Sequence, residues 1–398
     1  MSRFLKSLIC PLLVVVSLFE NVQAQYNRDE LLGQLNTITT AVPFLIISPD
    51  ARAGGMGDAG AASAADVNSI HWNPAKLAFV EQKMAFGVSY TPWLRKLVPD
   101  INLAYVSFAK QLKGDQAIGA SLRYFSLGNI TFTDGTGNEI GQYDPAEFAF
   151  DVAYARKLSE NISGGIALRY INSNLTGGFL VEGNQTKAGQ SVAADISAFY
   201  KKEIEIGKKD ADLSIGLNIS NVGSKISYTE TGRKDFIPIN LRLGPALNFK
   251  LNEFNELAVV MDFNKLLVPT PPIYSDSISN GEQQILYGNS PDVSVAQGIF
   301  QSFGDAPNGG KEELQEVNIA AGIEYWYDRQ FAFRAGYFYE HENKGNRKYF
   351  TLGAGLKYNV FGLDFAYLIP TDQRNPLENT LRFSLTFDFN RSAKESEE

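Results

Sequence analysis

Gly55-Met56-Gly57-Asp58-Ala59-Gly60 spells the turn with which dinucleotide-binding proteins cradle a pyrophosphate. That chemistry needs a strand running into the turn, a helix opening from it and an acidic residue on the next strand. Pro49 and Asp50 interrupt the approach, and strand-like sequence follows, so these glycines read as tight turns and close backbone packing. Asp134-Gly135-Thr136-Gly137-Asn138-Glu139 offers oxygen ligands but not the EF-hand spacing, and reads as a Gly-rich loop. His71 and His341, the two histidines, sit on different elements with no cysteine beside them, which supports neither a zinc set nor a His-centred triad. No catalytic constellation, cofactor or metal site is expected. What does recur is charge at alternate positions: Arg123, Arg169, Arg242, Arg334 and Arg382, with Asp151, Asp195, Asp262, Glu324, Asp364 and Asp388. One reading is a charged translocation path. The other is a mutually neutralised network, because unpaired charges in a confined space are costly.

The elements that must hold these charges are strands. In Leu381–Phe389, Leu381, Phe383, Leu385, Phe387 and Phe389 share one face, and Arg382, Ser384, Thr386 and Asp388 the other. Such alternation predicts strands over 83–91, 100–110, 116–126, 146–156, 161–172, 190–202, 211–220, 237–250, 256–265, 316–327, 330–341, 347–358, 360–369 and 379–389. Ile239, Leu241 and Leu243 should thus oppose Asn240 and Arg242. The intervening stretches alternate in length, from 111–115 or 359 on one side to 127–145 or 266–315 on the other. A soluble sandwich has no reason for that parity, whereas short periplasmic turns and long outer loops are the habit of bacterial barrels. Aromatics near strand ends (Tyr90, Trp93, Tyr325, Tyr327, Tyr349, Phe389) suit interfacial girdles. The expected fold is all-β, a fourteen-stranded antiparallel transmembrane barrel over 83–389, with a charged periplasmic tail at 390–398.

The N-terminus points to the same compartment. Arg3 and Lys6, the apolar run Leu8–Phe19 and Val22-Gln23-Ala24 before Gln25 have the layout of a signal peptide over 1–24. Cys10, the one cysteine, lies inside it. No other run approaches the ~20 apolar residues of a spanning helix, and only a closed barrel can otherwise cross a membrane. A net charge of -8 without a Lys/Arg cluster argues against nucleic acid.

Residues 25–82 do not alternate. Asp29–Thr39 suggests a short amphipathic helix, and a Gly/Ala-rich run and Asn68–Phe79 follow. Fourteen strands enclose more space than their own side chains fill. This partly helical segment is therefore expected to fold into the lumen from the periplasmic side as a plug.

Asn73-Pro74-Ala75, with Ser48–Gly60 before it and Lys76-Leu77-Ala78-Phe79 after it, resembles the N-terminal signature of FadL-type outer-membrane proteins. Within that group it is most similar to the PorV family of the Bacteroidetes type IX secretion system. The resemblance implies a plugged barrel in the outer membrane, surrounded by its lipid. It also implies a non-enzymatic shuttle that docks on the type IX translocon barrel, takes secreted cargo by its C-terminal signal domain and delivers it to a sortase-like surface attachment complex. The wider group implies an alternative, a porin for long-chain fatty acids or other hydrophobic compounds. Trp93, Leu94 and Leu97 on one outer loop, and Val268, Pro269, Ile273 and Tyr274 on another, are the candidate partner-binding residues.

Overall fold

The computed structural model describes residues 35–391, apart from residues 97, 134, 179, 182, 183, 231, 233, 280, 281, 373 and 374. The proposed signal peptide, the first part of the Asp29–Thr39 segment, Leu97 and the end of the tail lie outside the described residues.

Fourteen strands close into one antiparallel barrel. They are β1 (Gln82–Pro92), β2 (Asn102–Leu112), β3 (Gln116–Ser126), β4 (Ala146–Lys157), β5 (Ile162–Asn174), β6 (Gly189–Ile206) and β7 (Lys209–Gly223). The circuit continues with β8 (Asn240–Lys250), β9 (Asn255–Leu266), β10 (Asn318–Tyr327), β11 (Phe331–Tyr339), β12 (Lys348–Tyr358), β13 (Phe361–Pro370) and β14 (Leu381–Arg391). β14 pairs back onto β1, with Val88 opposite Leu385 and Tyr90 opposite Phe383, so no edge is left to face hydrocarbon.

Closure turns the period of two into two environments. Phe383 and Leu385 stay 43% and 38% exposed, while Arg382 and Ser384 between them are 2% exposed. On β11, Phe331 and Phe333 face out and Ala332 and Arg334 face in. The outer face is thus a band of large apolar side chains, the form a sheet takes against lipid. At the end where β1 begins, connections are short. Residues 113–115 join β2 to β3, and a two-residue turn with Asn359 at φ 53° joins β12 to β13. The opposite end carries 127–145, 175–188, 224–239 and 267–317. By this asymmetry the short-turn end is periplasmic.

The long loops have structure of their own. Ile130–Thr133 pairs with Glu139–Tyr143, which puts the Gly-rich stretch from 135 at a hairpin tip. The 267–317 loop contains a hairpin, Ile273–Ser279 with Glu282–Tyr287, and the helices Val295–Gln301 and Gly310–Gln315.

Three readings are corrected. Ile239 precedes β8 and turns into the interior, fully buried, because the loop leading to Asn240 folds over the barrel mouth rather than extending the strand. Tyr349 belongs to the inward parity of β12 and donates to Asp58, so it is no girdle residue. Residues 35–40 are not helical, and the Asn36 amide donates instead to the carbonyl of Asn343 (3.0 Å).

Residues 36–81 fill the ring with two one-turn helices, Ala51–Gly54 and Ser69–Trp72, and two 3-10 turns, Pro43–Ile46 and Pro74–Phe79. Their hydrogen-bond partners come from the whole circumference: Ser107 on β2, Ser197 on β6, Asn218 on β7, Asp262 on β9, Glu324 on β10 and Ser384 on β14. Only a segment inside the ring can reach all of these.

The register makes a direct prediction. Leu385→Arg puts a charge on the lipid face mid-strand and should cost about 2–4 kcal/mol of barrel stability. Thr386→Arg, on the inward face of the same strand, should be far milder. Heat-modifiable migration of the folded form on a gel reads both, and equal damage would contradict the register.

Candidate functional site

The plug is seated backbone against backbone. A Cβ on Gly336 of β11 would lie 2.1 Å from the Gly57 nitrogen, one on Gly216 of β7 2.0 Å from the Ala61 carbonyl oxygen, and one on Gly165 of β5 2.4 Å from the Ala75 nitrogen. Gly57 itself has φ 70°, where an L side chain is strained. The fingerprint-like glycines therefore serve plug–wall contact and not phosphate.

Asn73-Pro74-Ala75 adds hydrogen bonds to that contact. Asn73 is fully buried, donates from Nδ2 to the carbonyls of Ala61 (3.1 Å) and Ala198 (3.0 Å), and caps the following turn through Oδ1. Pro74 fits the first position of that turn because it has no N–H to satisfy. The Ala75 amide donates to Ser197 (2.9 Å), and its carbonyl accepts from Ser163 (2.7 Å). An asparagine here both starts the turn and joins it to the wall.

The recurring charges all face inward, and all but Arg123 meet an opposite charge. Arg169 bridges Asp151 (2.5 Å) and Asp195 (3.1 Å), Arg334 bridges Glu324 and Asp364 (both 2.7 Å), and Lys357 meets Asp388 (2.5 Å). Arg242 lies 3.9 Å from Asp262 and over the Trp72 ring. Two wall arginines pair with the plug instead. Arg382 meets Asp58 at 2.5 Å, and Arg123 donates to the Leu45 carbonyl and to His71 Nδ1, each at 2.5 Å. Because a guanidinium can only donate, His71 Nδ1 must accept and its ring proton sits on Nε2. The plug returns the favour through Arg52, which joins Glu324 (2.8 Å) to Asp66 (2.9 Å). Plug residues Asp58, Arg52 and His71 thus complete a network that the sequence placed on the wall alone. Among the described residues no group of His, Cys, Asp or Glu is arranged to hold a metal ion.

A cavity of about 400 Å³ lies at the periplasmic end. Arg52, Lys201, Asp212, Glu324, Lys357 and Asp388 line it together with Phe79, Phe199 and Trp326, so it is a vestibule of mixed polar and apolar character. Beyond it the plug closes the way outward.

The outer mouth is closed by a lid formed by 267–317. Leu267 and Val268 are buried with Val42, Phe44 and Leu45 of the plug and with Phe125 and Ile171 of the wall. Ions fasten it. Lys265 reaches Glu313 (2.9 Å) and Glu316 (2.6 Å), and Lys344 reaches Glu312 (2.6 Å) and Glu316 (3.0 Å). Burial would raise the Glu312 pKa, but the Lys344 ammonium and the Asn308 and Asn36 amides hold it below the ordinary carboxylate value. The Glu312-Glu313-x-x-Glu316 spacing was the available sequence signal for this cluster, but its lysines lie on distant elements.

The candidate loop residues divide accordingly. Trp93 and Leu94 are half-buried against apolar clusters that include plug residues, and Val268 and Pro269 are buried, because covering the plug removes their apolar surface from water. Val268 and Pro269 form the lid's underside and are corrected from outward-facing contacts to internal ones, while Trp93 and Leu94 stay partly exposed on their own loop. Ile273 is half-buried, and Tyr274 is exposed on the hairpin. The most exposed apolar residues of the outer loops include Leu286 (57% exposed), Tyr287 (62%), Phe300 (79%), Phe303 (55%) and Leu314 (76%), all on the lid. Sequence parity placed this loop outside but could not tell its upper from its lower face.

A closed barrel with an apolar belt, a polar lumen and an internal plug defines an outer-membrane β-barrel whose pore is stoppered by its own N-terminal segment. The chain belongs to the PorV family. The family model described as "Type IX secretion system protein PorV" matches residues 31–273, more than half of the chain, taking in the plug and β1 to β9. It is thus an outer-membrane component of type IX secretion. No protein of curated function matches the chain in sequence. Similar solved structures include the toluene transporter TodX of Pseudomonas putida, 12% identical with a TM-score of 0.45, covering 84% of this chain and 95% of that one. The Ralstonia pickettii toluene transporter TbuX is 11% identical with a TM-score of 0.44, covering 86% and 98%. A Pseudomonas aeruginosa FadL homologue is 11% identical with a TM-score of 0.45, covering 89% and 99%. At these scores the fold is read from the strand order itself.

Seating the plug on wall glycines has a measurable consequence. Gly336→Val should lower the temperature at which the folded form converts on a gel, by the ~1–3 kcal/mol typical of overpacking. Gly135→Val, in an open hairpin where an added Cβ meets nothing within 4 Å, should not change it. Equal stability of the two variants would contradict plug–wall contact at Gly336.

Proposed function

We propose that this protein carries exported proteins on the outer surface. It binds their C-terminal signal domains at the lid and passes them from the type IX translocon barrel to the sortase-like attachment complex. The observation that carries this reading is the exposed apolar set on the 267–317 lid, above a lumen that is filled and charged. Monomeric proteins seldom leave large apolar side chains unpartnered in such numbers on one loop. A protein interface would desolvate them, and their aromatic members are the residue type that dominates interface energetics. Family membership supports association with type IX secretion components, and outer-membrane targeting would follow from cleavage after Ala24.

The rival reading, a porin for fatty acids or other hydrophobic compounds, asks for an apolar pocket and a passage. The vestibule mixes charged side chains with apolar ones and lies at the periplasmic end behind the plug, so it is not the mostly apolar pocket, open to the outside, that such compounds would enter. Leu286 and Tyr287 join Trp93 as anchors, and they are the more accessible ones, since Trp93 is half-buried against the apolar cluster at the mouth.

The test is Leu286→Asp combined with Tyr287→Asp. Heat-modifiable migration should be unchanged, while secreted proteins accumulate in the periplasm or remain unattached. Each lost anchor should weaken cargo capture by on the order of 2 kcal/mol. Normal secretion combined with lost uptake of long-chain fatty acids would reverse the assignment in favour of the porin.

A further inference from the structure

The plug does not hang from the periplasmic rim, for its two ends lie at opposite mouths of the barrel. At the inner end, the carbonyls of Leu77 and Val80 accept from Gln111 Nε2 (2.7 and 2.8 Å), next to the short connection 113–115. At the outer end, the Asn36 amide donates to Asn343 between β11 and β12 (3.0 Å). Asn36 Nδ2 donates to the Pro271 carbonyl (3.1 Å) and to Glu312 Oε1 (2.8 Å), both on the lid. Between these ends, the Ala41 amide donates to the Phe236 carbonyl in the β7–β8 loop (2.8 Å). Val42, Phe44 and Leu45 pack against Leu103, Phe125 and Ile171, which all sit at the outer ends of their strands. The chain therefore enters the lumen from outside and leaves it at the periplasmic rim to begin β1.

We propose that the segment ahead of β1 is a strap threaded through the barrel, with its start on the cell-surface side, where Asn36 pins the lid. This overturns entry from the periplasm and changes what the plug can do. A hatch hinged at the periplasmic rim could swing free. A threaded strap could leave only by drawing its outer end back through a lumen whose space it fills, so it must fold together with the barrel. The strap also makes the lid conditional on the plug. Asn36 bonds both Pro271, where the lid leaves the wall, and Glu312, the ion-paired end of the lid's second helix. The inference holds whatever the lid binds.

The chain's one cysteine, Cys10, precedes the proposed cleavage site, so single-cysteine labelling is available. Thr37→Cys tests an exposed strap position and Lys113→Cys an exposed position in the β2–β3 turn. A membrane-impermeant maleimide added to intact cells should modify Thr37→Cys and leave Lys113→Cys unmodified, and both should react after the outer membrane is permeabilised. If Thr37→Cys reacts only after permeabilisation, the threaded topology is wrong. For the pinning, Asn36→Ala should keep heat-modifiable migration while external protease cuts the lid on the order of tenfold faster, as expected when opening of a hydrogen-bonded segment becomes easier. An unchanged cutting rate would overturn the role of Asn36.

Discussion

A charge in a narrow, mostly dry lumen must be paired where it stands, and this constraint organises the molecule. The wall carries more inward guanidinium than its own carboxylates neutralise in place. Arg382 depends on Asp58, and Arg123 depends on the Leu45 carbonyl and on a neutral His71. The plug has the reciprocal need, since Arg52 requires Glu324 of the wall. Each part thus holds charges whose partners the other supplies. Wall glycines such as Gly165, Gly216 and Gly336 then let the two backbones come close enough for these pairs to form.

A lumen filled in this way leaves the lid to carry a large exposed apolar surface at the outer mouth. The lid's lower face is spent on the plug, through Leu267 and Val268, while Leu286, Tyr287 and Phe300 remain in water on the upper face. The buried Lys265–Glu316–Lys344 cluster gives that face a fixed shape, and removing one member would leave buried charge uncompensated. Surface presentation and pore closure therefore share the same loop. A loop that both covers the plug and offers an apolar face suits a carrier of proteins better than a conduit.

Strands and parity were legible because lipid on one side and polar lumen on the other force strict alternation, as in Phe383-Ser384-Leu385. The misreadings share a cause. Tyr349 was assigned by its residue type near a strand end, where its parity with Arg347 and Thr351 already pointed inward. Ile239 and Val268 continue an apolar pattern past the end of a strand, and only the folded loops reveal that the apolar surface they meet belongs to the plug. Asn73-Pro74-Ala75 was visible as a motif, but its contacts with Ser163 and Ser197 are tertiary and leave no local trace. The direction of the plug was likewise invisible, since a segment preceding a periplasmic β1 reads identically whether it arrives from below or from above.

The central claim is that plug and barrel form one sealed interior in the working protein. Single-channel recording of the purified, intact protein in planar bilayers tests it most directly. The account predicts a baseline without sustained openings, and stable conductance once residues 36–80 are deleted from a barrel that still folds. Sustained porin-like openings of the intact protein would contradict it.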